Sequence, residues 1–374
     1  MLGGIRFRSY QLFGVTTLAL PHQRKAHYDV IVVRVDAIGD FILWRDSLDA
    51  YRKMLEGKRS LLICADLVRP LAEQEGVFSD IWSFNRKKFE FDFSYFRKQL
   101  RYLRQLSADS VIYPNWERHR MGDLMVHAIQ APVKIGMAGK EKRYIESRYY
   151  DRQYTTRVPN PETTSELLAI EWFTRKVVSA DYRYGARPLI PAEPQQIDGR
   201  YAVFALSASD SRRVWSAEHF AEVIDTIPDS YRIVLAGAGK EDIGRAEVIQ
   251  NRARNKNRIV NLINRTSLTE LVSVIAHSQF VIGNDSAAVH IAAATRVPSV
   301  CILPGAHYNR FVPYPQNTLI PEAFLPRPVY HKMDCFGCAY HCIYPVKERY
   351  ECLRQVSVED VVNKMKELCT SQSL

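Results

Sequence analysis

No run among the 374 residues approaches the ~20 consecutive apolar positions that a bilayer-spanning helix needs, so no such helix is expected. A secretory signal is missing too: residues 11–20 are only mildly apolar and broken by polar side chains. Residues 21–25, Pro-His-Gln-Arg-Lys, offer no small-residue cleavage site. Residues 1–27 therefore read as an N-terminal extension, an interfacial foot at most, on a protein expected in the cytoplasm, peripheral on the inner face of its membrane if it touches one. There is also no continuous basic arm and no recognisable nucleic-acid motif, so the net charge of +10 does not by itself name DNA or RNA as a partner. Solvated helix faces absorb most of the 51 Lys and Arg; the surplus over 41 Asp and Glu suits an anionic surface or a phosphorylated acceptor. With 47% hydrophobic and 25% charged residues, composition also excludes disorder, and the length admits two domains of ordinary size.

What the chain does contain is strand, turn and helix in repeated alternation. The stretch around which it is organised is Gly283-Asn284-Asp285-Ser286-Ala287-Ala288-Val289-His290. Residues 279–282 before it form an apolar, β-branched strand, and the alanine-rich run after it has high helix propensity. Asp285 or Ser286 is placed to cap that helix. A helix N-terminus is thereby set at the carboxyl end of a strand, which in an open parallel sheet is where anionic ligands bind. His290, four residues beyond Ser286, projects from the same face.

Residues 28–35 are a continuous apolar strand of the kind buried on both faces, broken by Asp36-Ala-Ile-Gly39-Asp40, and then comes a helical pattern through Phe41, Leu43, Leu48 and Tyr51. Further strands are expected at 60–65, 81–84, 109–113 and 133–135, with helices at 93–106 and 121–129. The Tyr- and Arg-rich residues 141–157 read as a loop. Three prolines in residues 186–200 mark an interdomain linker. Beyond it the spacing predicts strands at 201–206, 231–236, 259–262 and 299–303, the last of them closing at Pro304-Gly305. Helices are expected at 216–227, from Lys240, and from the capping box Ser267-Leu-Thr-Glu270 to about His277. An amphipathic helix over 357–368 ends the chain. Strands alternating with helices imply α/β architecture with parallel sheets, in two consecutive Rossmann-like domains with a cleft between them.

Three segments, in order, give the chain a resemblance to the family 9 glycosyltransferases, the heptosyltransferase-like enzymes of lipopolysaccharide core synthesis. They are Arg34-Val-Asp-Ala-Ile-Gly39-Asp40, Ser211-Arg-Arg213-Val-Trp215-Ser-Ala-Glu-His-Phe220, and the Gly283 to His290 stretch with Val297-Pro298 and Pro304-Gly305 behind it. The resemblance implies the GT-B fold, two Rossmann-like domains with parallel sheets facing a central cleft: residues 28–185 on the acceptor side and 201–325 binding the nucleotide sugar. It implies an inverting transfer, without a catalytic metal, of a sugar such as heptose from a nucleoside-diphosphate donor (ADP-heptose or similar) to an anionic glycolipid acceptor. Asp40 resembles the general base. Arg213 falls where the family places a lysine beside the diphosphate, Ser286 and Ala287 at the phosphate-binding helix start, and Gly305 on a candidate phosphate loop. Asp285 resembles the residue contacting the donor sugar, with His290 as its helper. The sequence has no Asp-x-Asp motif that would demand Mg²⁺. It departs from the family in having Ala287-Ala288 for Gly-Pro and Gly305-Ala306-His307 for Gly-Pro-Thr, which keeps open a catalytically silent nucleotide- or glycan-binding relative of the same fold.

Four of the seven cysteines cluster near the end of the chain, in Cys335-Phe-Gly-Cys338-Ala-Tyr-His341-Cys342 and at Cys352. In a reducing compartment that spacing points to a structural zinc site or a reduced thiol cluster rather than to disulfides, with His341 as a spare ligand.

Overall fold

The structure, a computed structural model, describes residues 26–139, 147–192 and 197–370. The expected N-terminal foot thus lies almost wholly outside the described residues. The chain divides into two compact units, Met1–Thr163 with Leu168–Tyr182, and Thr164–Leu167 with Arg183–Leu374.

The first unit is built on six parallel strands: β1 (Ala26–Arg34), β2 (Ser60–Ala65), β3 (Asp80–Phe84), β4 (Leu106–Tyr113), β5 (Val133–Met137) and β6 (Thr156–Val158), in the order β3-β2-β1-β4-β5-β6. Ile31, Val32 and Val33 are fully buried, as a strand covered by helices on both faces requires. Phe84, Phe89 and Phe96 stack edge to face at 5.3 and 5.1 Å and anchor the helices Arg86–Phe91 and Phe93–Leu103 to the sheet. The second unit repeats the plan with β7 (Tyr201–Ala205), β8 (Arg232–Ala236), β9 (Ile259–Asn261), β10 (Phe280–Asn284), β11 (Ser299–Ile302) and β12 (Arg327–Val329), ordered β12-β11-β10-β7-β8-β9. Counted from each unit's own first strand, both orders are 3-2-1-4-5-6, the Rossmann order, with its switch points between β1 and β4 and between β7 and β10.

Several expectations change. The first helical pattern is two helices, Ile38–Arg45 and Leu48–Met54, because the Ser47 hydroxyl donates to the Trp44 carbonyl at 2.7 Å and ends the first of them. The helix expected at 93–106 stops at Leu103, and Leu106 already opens β4. The stretch 141–157 is not all loop: it carries the helix Ser147–Asp151 and starts β6, while residues 140–146 lie outside the described residues. A further helix, Glu166–Val177, lies where no element is expected from the sequence. The strand at 299–302 is not the last, since β12 pairs beyond it along Val300, Cys301 and Ile302.

The capping box forms as expected, with Ser267 and Glu270 exchanging both bonds at the head of Leu268–Ala276. The terminal helix Val358–Thr370 lays Val361, Val362, Met365 and Leu368 into the second unit's core beside Trp215 and Phe220. Among the described residues no helix is long and apolar enough to cross a membrane.

Candidate functional site

Both sequence motifs fall at switch points. In the first unit, Asp40 is the third residue of the helix Ile38–Arg45, directly after β1, and is half-buried. Its position is set by Arg34, a buried residue at the end of β1. One Arg34 Nη donates to the Asp40 carbonyl at 3.0 Å; the other donates to the Pro114 carbonyl at 3.1 Å and to Asn115 Oδ1 at 3.2 Å, at the end of β4. Arg34 Nε lies 2.9 Å from the Asp36 carboxylate, which also receives the Asn115 amide and has His119 Nε2 at 3.2 Å. Burial alone would raise the Asp36 carboxyl. The guanidinium, then His119 and Asn115, outweigh it and hold the group far below the usual carboxylate range. Asp36 is therefore a permanent anion, engaged in tying two loops together, and Asp40 is the carboxylate at the helix start.

In the second unit, β10 ends at Asn284, which is wholly buried. Its amide nitrogen donates to the Leu206 carbonyl at 2.9 Å and its oxygen accepts from the Trp215 N–H at 2.8 Å, joining the ends of β7 and β10 to the Arg213 segment. Gly283 permits this closeness: a Cβ there would stand 2.8 Å from Ala205 Cβ. Arg213 donates to Ser209 Oγ at 2.8 Å and to the Asp285 carbonyl at 3.1 Å, and pairs with the Asp285 carboxylate. Burial pulls the guanidinium's proton affinity down, but Asp285 and Tyr340 more than restore it, so Arg213 stays charged. Its buried Nε has no hydrogen-bond partner.

Ser286 stands at the cap of the helix Ala287–Ala294 with extended backbone (φ −151°, ψ 175°), yet its side chain makes no capping bond. The orphan N–H groups of that first turn and the positive end of the helix dipole are what an anion would meet. Ala287 does not have a positive φ, so replacing glycine there costs the backbone nothing. His290, one turn on, is buried with Nδ1 2.8 Å from the Tyr314 hydroxyl and its ring stacked on the tyrosine at 5.9 Å. Burial pulls its pKa down to about 4, so it is neutral at physiological pH.

Gly305 lies in a short 3₁₀ turn after β11. Its Cβ position is filled by Phe336 (2.6 Å), its carbonyl accepts from the Gly337 N–H at 2.9 Å, and its own N–H is directed at the Cys352 sulfur.

The structure gathers the sulfurs of Cys335, Cys338 and Cys342 within 4.8 Å of one another. Cys352 is buried nearby; burial first, and then the sulfurs of Cys335 and Cys338, push its thiol up. Burial and the same crowding push Cys342 up to about 11. Thiols so crowded disfavour one another's ionisation unless a cation sits among them, so the donor set fits a thiolate-bound metal. His341 is exposed and outside the trio.

Asp40 thus belongs to the first unit, while Arg213, Asp285, Ser286, Ala287 and His290 share the second unit's switch point. Asp36, Asn115, Ser209 and Asn284 stood inside or beside recognised stretches without a role. His119 carried no local signal.

Residues 97–323 match the model of glycosyltransferase family 9 (heptosyltransferase). Lipooligosaccharide heptosyltransferase 2 of Campylobacter jejuni (serotype O:6, strain 81116 / NCTC 11828) is 26% identical over 162 residues, 43% of this chain and 48% of that protein. The chain spans about half the length of the curated relatives it matches. Among solved structures, Escherichia coli heptosyltransferase WaaC with ADP-2-deoxy-2-fluoro heptose superposes with a TM-score of 0.66 at 16% identity, covering 91% of this chain and 99% of that one. The dodecameric iron-containing heptosyltransferase TibC of enterotoxigenic E. coli H10407, in complex with ADP-D-beta-D-heptose, gives a TM-score of 0.54 at 14% identity over 94% and 78%. These likenesses show the GT-B fold, and with well over half of its length matched by the family's model, the chain belongs to glycosyltransferase family 9 (heptosyltransferase).

Proposed function

We propose that the protein transfers heptose from ADP-heptose to the core of a lipopolysaccharide or a related anionic glycan, inverting the anomeric centre and using no catalytic metal. The observation that carries this reading is the pairing of Arg213 with Asp285 at the uncapped start of the helix Ala287–Ala294. A guanidinium and a helix N-terminus at one switch point suit a diphosphate, met by the charge of the one and by the backbone N–H groups of the other. The leaving group is a nucleoside diphosphate that needs charge stabilisation rather than a proton, so Arg213, the N–H groups near Ser286 and Ala287, and the helix dipole supply most of the catalysis on that side. Asp285 contacts the donor sugar, and neutral His290 hydrogen-bonds beside it without adding charge. Asp40 takes the proton of the acceptor hydroxyl as its oxygen attacks the anomeric carbon. A single displacement by one base inverts the configuration.

Residues 28–185 carry the acceptor and 201–325 the donor, joined through 186–200. In the segment 326–374, Cys335, Cys338 and Cys342 would hold a structural metal, with Cys352, outside the close trio, as the further sulfur. Zinc suits four thiolates, and iron is the metal named for TibC. The protein works in the cytoplasm at the inner face of the membrane, where its positive surplus favours an anionic glycolipid, and nucleic acid is not a partner.

The test is incubation with ADP-heptose and truncated lipopolysaccharide cores, read by mass spectrometry. The expected result is one heptose added per acceptor and one ADP released. Saturable ADP binding with no transfer to any core would instead establish a catalytically silent binding protein.

A further inference from the structure

The cysteine segment does more than close a small metal site: its backbone and rings are laid directly on the loops that carry the donor residues. The Gly337 and Ala339 N–H groups donate to the carbonyls of Gly305 and Ala306 at 2.9 and 3.0 Å, and the Gly305 N–H is directed at the Cys352 sulfur. Phe336 fills the space against Gly305. Tyr340, between Cys338 and Cys342, lies against two donor-side residues: the Arg213 guanidinium is 5.5 Å from its ring centre, and the His307 ring is 4.6 Å away at a near-perpendicular angle. On the other side, the Tyr350 N–H donates to the Arg212 carbonyl at 3.1 Å, and the Tyr340 and Tyr350 rings meet at 5.1 Å. One segment therefore holds both the 211–213 turn and the 305–307 turn.

The geometry of that segment needs an external constraint. Gly337, Ala339 and Tyr340 all have left-handed backbone, with φ of 82°, 47° and 65°. Glycine tolerates this, but alanine and tyrosine adopt it only where their surroundings fix them. The N–H groups of Gly337, Ala339 and His341 tie the backbone on one side, to Gly305, Ala306 and Cys338. The sulfurs of Cys338 and Cys342, which flank the two non-glycine residues, are the further fixing points.

We infer that a metal ion on these thiolates is a positioning element of the donor site: by holding residues 338–342 in their left-handed turn, it presses Tyr340 against Arg213 and so sets the guanidinium that receives the diphosphate. Tyr340 is a positioning residue, acting through Arg213. The inference rests on the donor-site reading given above. It makes nucleotide affinity depend on the state of a thiol cluster that does not touch the nucleotide, so chelation or thiol oxidation would release donor as well as metal.

The experiment uses the full chain as purified, with metal content measured by plasma mass spectrometry and ADP affinity by titration calorimetry. The expected outcome is about one equivalent of metal and measurable ADP binding. Removing the metal by chelation, with the fold monitored by circular dichroism, weakens ADP binding about tenfold, and adding Zn²⁺ restores it; tenfold corresponds to about 1.4 kcal/mol, within the range of a desolvated cation–ring contact. Tyr340→Leu keeps its metal but shows the same tenfold loss, Tyr340→Phe keeps wild-type affinity, and chelating the Tyr340→Leu variant produces little further loss. A protein that neither contains nor takes up metal would overturn the inference. So would ADP affinity that stays within twofold after complete metal removal and in metal-loaded Tyr340→Leu. Failure of the metal-loaded wild type to bind ADP at all would instead sink the donor-site reading itself, a result readily told apart from the others.

Discussion

At the scale of single residues, the second unit's site is governed by burial. His290 is neutral because it is enclosed; Asp285 pulls its pKa up and the Arg213 cation pulls it down, and at about 4 it lies below the unfolded value near 6.5. A group whose protonation is favoured in the unfolded chain stabilises the fold fully only above the unfolded pKa. That contribution falls as pH drops from about 6.5 towards 4. His290→Gln, which keeps a hydrogen-bonding group opposite Tyr314, should therefore lose less melting temperature than wild type between pH 7 and pH 4.5. Parallel scanning calorimetry checks this, and equal losses in the two proteins would mean that His290 is not held neutral by its site. Arg213 makes a complementary case. Its planar fork reaches Ser209, the Asp285 carbonyl and the Asp285 carboxylate together. A lysine has one nitrogen for that work. Arg213→Lys is expected to weaken ADP binding about five- to twentyfold in calorimetric titration while leaving the melting temperature within a few degrees, in line with the net worth of one or two charge-assisted bonds.

At the scale of elements, each site is the meeting of two strand ends. Asn284 and Gly283 let β10 approach β7 closely enough for the Arg213 loop to reach the Asp285 helix start. Gly283→Val must push Ala205 away, since the added Cβ would sit 2.8 Å from it before the rest of the side chain is placed. Overpacking of this kind costs about 1–3 kcal/mol, so the variant should unfold at lower urea concentration and lose ADP affinity with it. Unchanged urea midpoint and affinity would show that the two strand ends are not coupled as described.

Most of these elements were legible in the sequence because their chemistry is local. The apolar run of β1, the capping box at Ser267 and the Ala-rich helix after Ser286 each follow from neighbours in the chain. What was not legible depends on partners far away. β12 is three residues long and exists because it pairs with β11. His119 matters only because β4's loop delivers it to Asp36, which is 83 positions earlier. Tyr340 carries no local signal between its cysteines, because its role depends on the distant Arg213 guanidinium over its ring.

At the scale of the whole molecule, one design occurs twice: a six-stranded parallel sheet whose switch point presents a short loop and a helix start. Each holds a largely buried Arg–Asp pair: the first sets Asp40 beside Arg34–Asp36, and the second sets Arg213–Asp285 beside an uncapped helix start. Base on one unit and diphosphate receptor on the other is the division of labour that the proposed transfer requires. Its central claim is that Asp40 acts in the chemical step and not in holding the donor. The most direct measurement is single-turnover transfer by Asp40→Asn with ADP-heptose and a core acceptor, alongside its ADP affinity. The predicted result is a rate reduced about 10²- to 10⁴-fold with ADP binding unchanged. Transfer at the wild-type rate would contradict the assignment of the base and, with it, the mechanism.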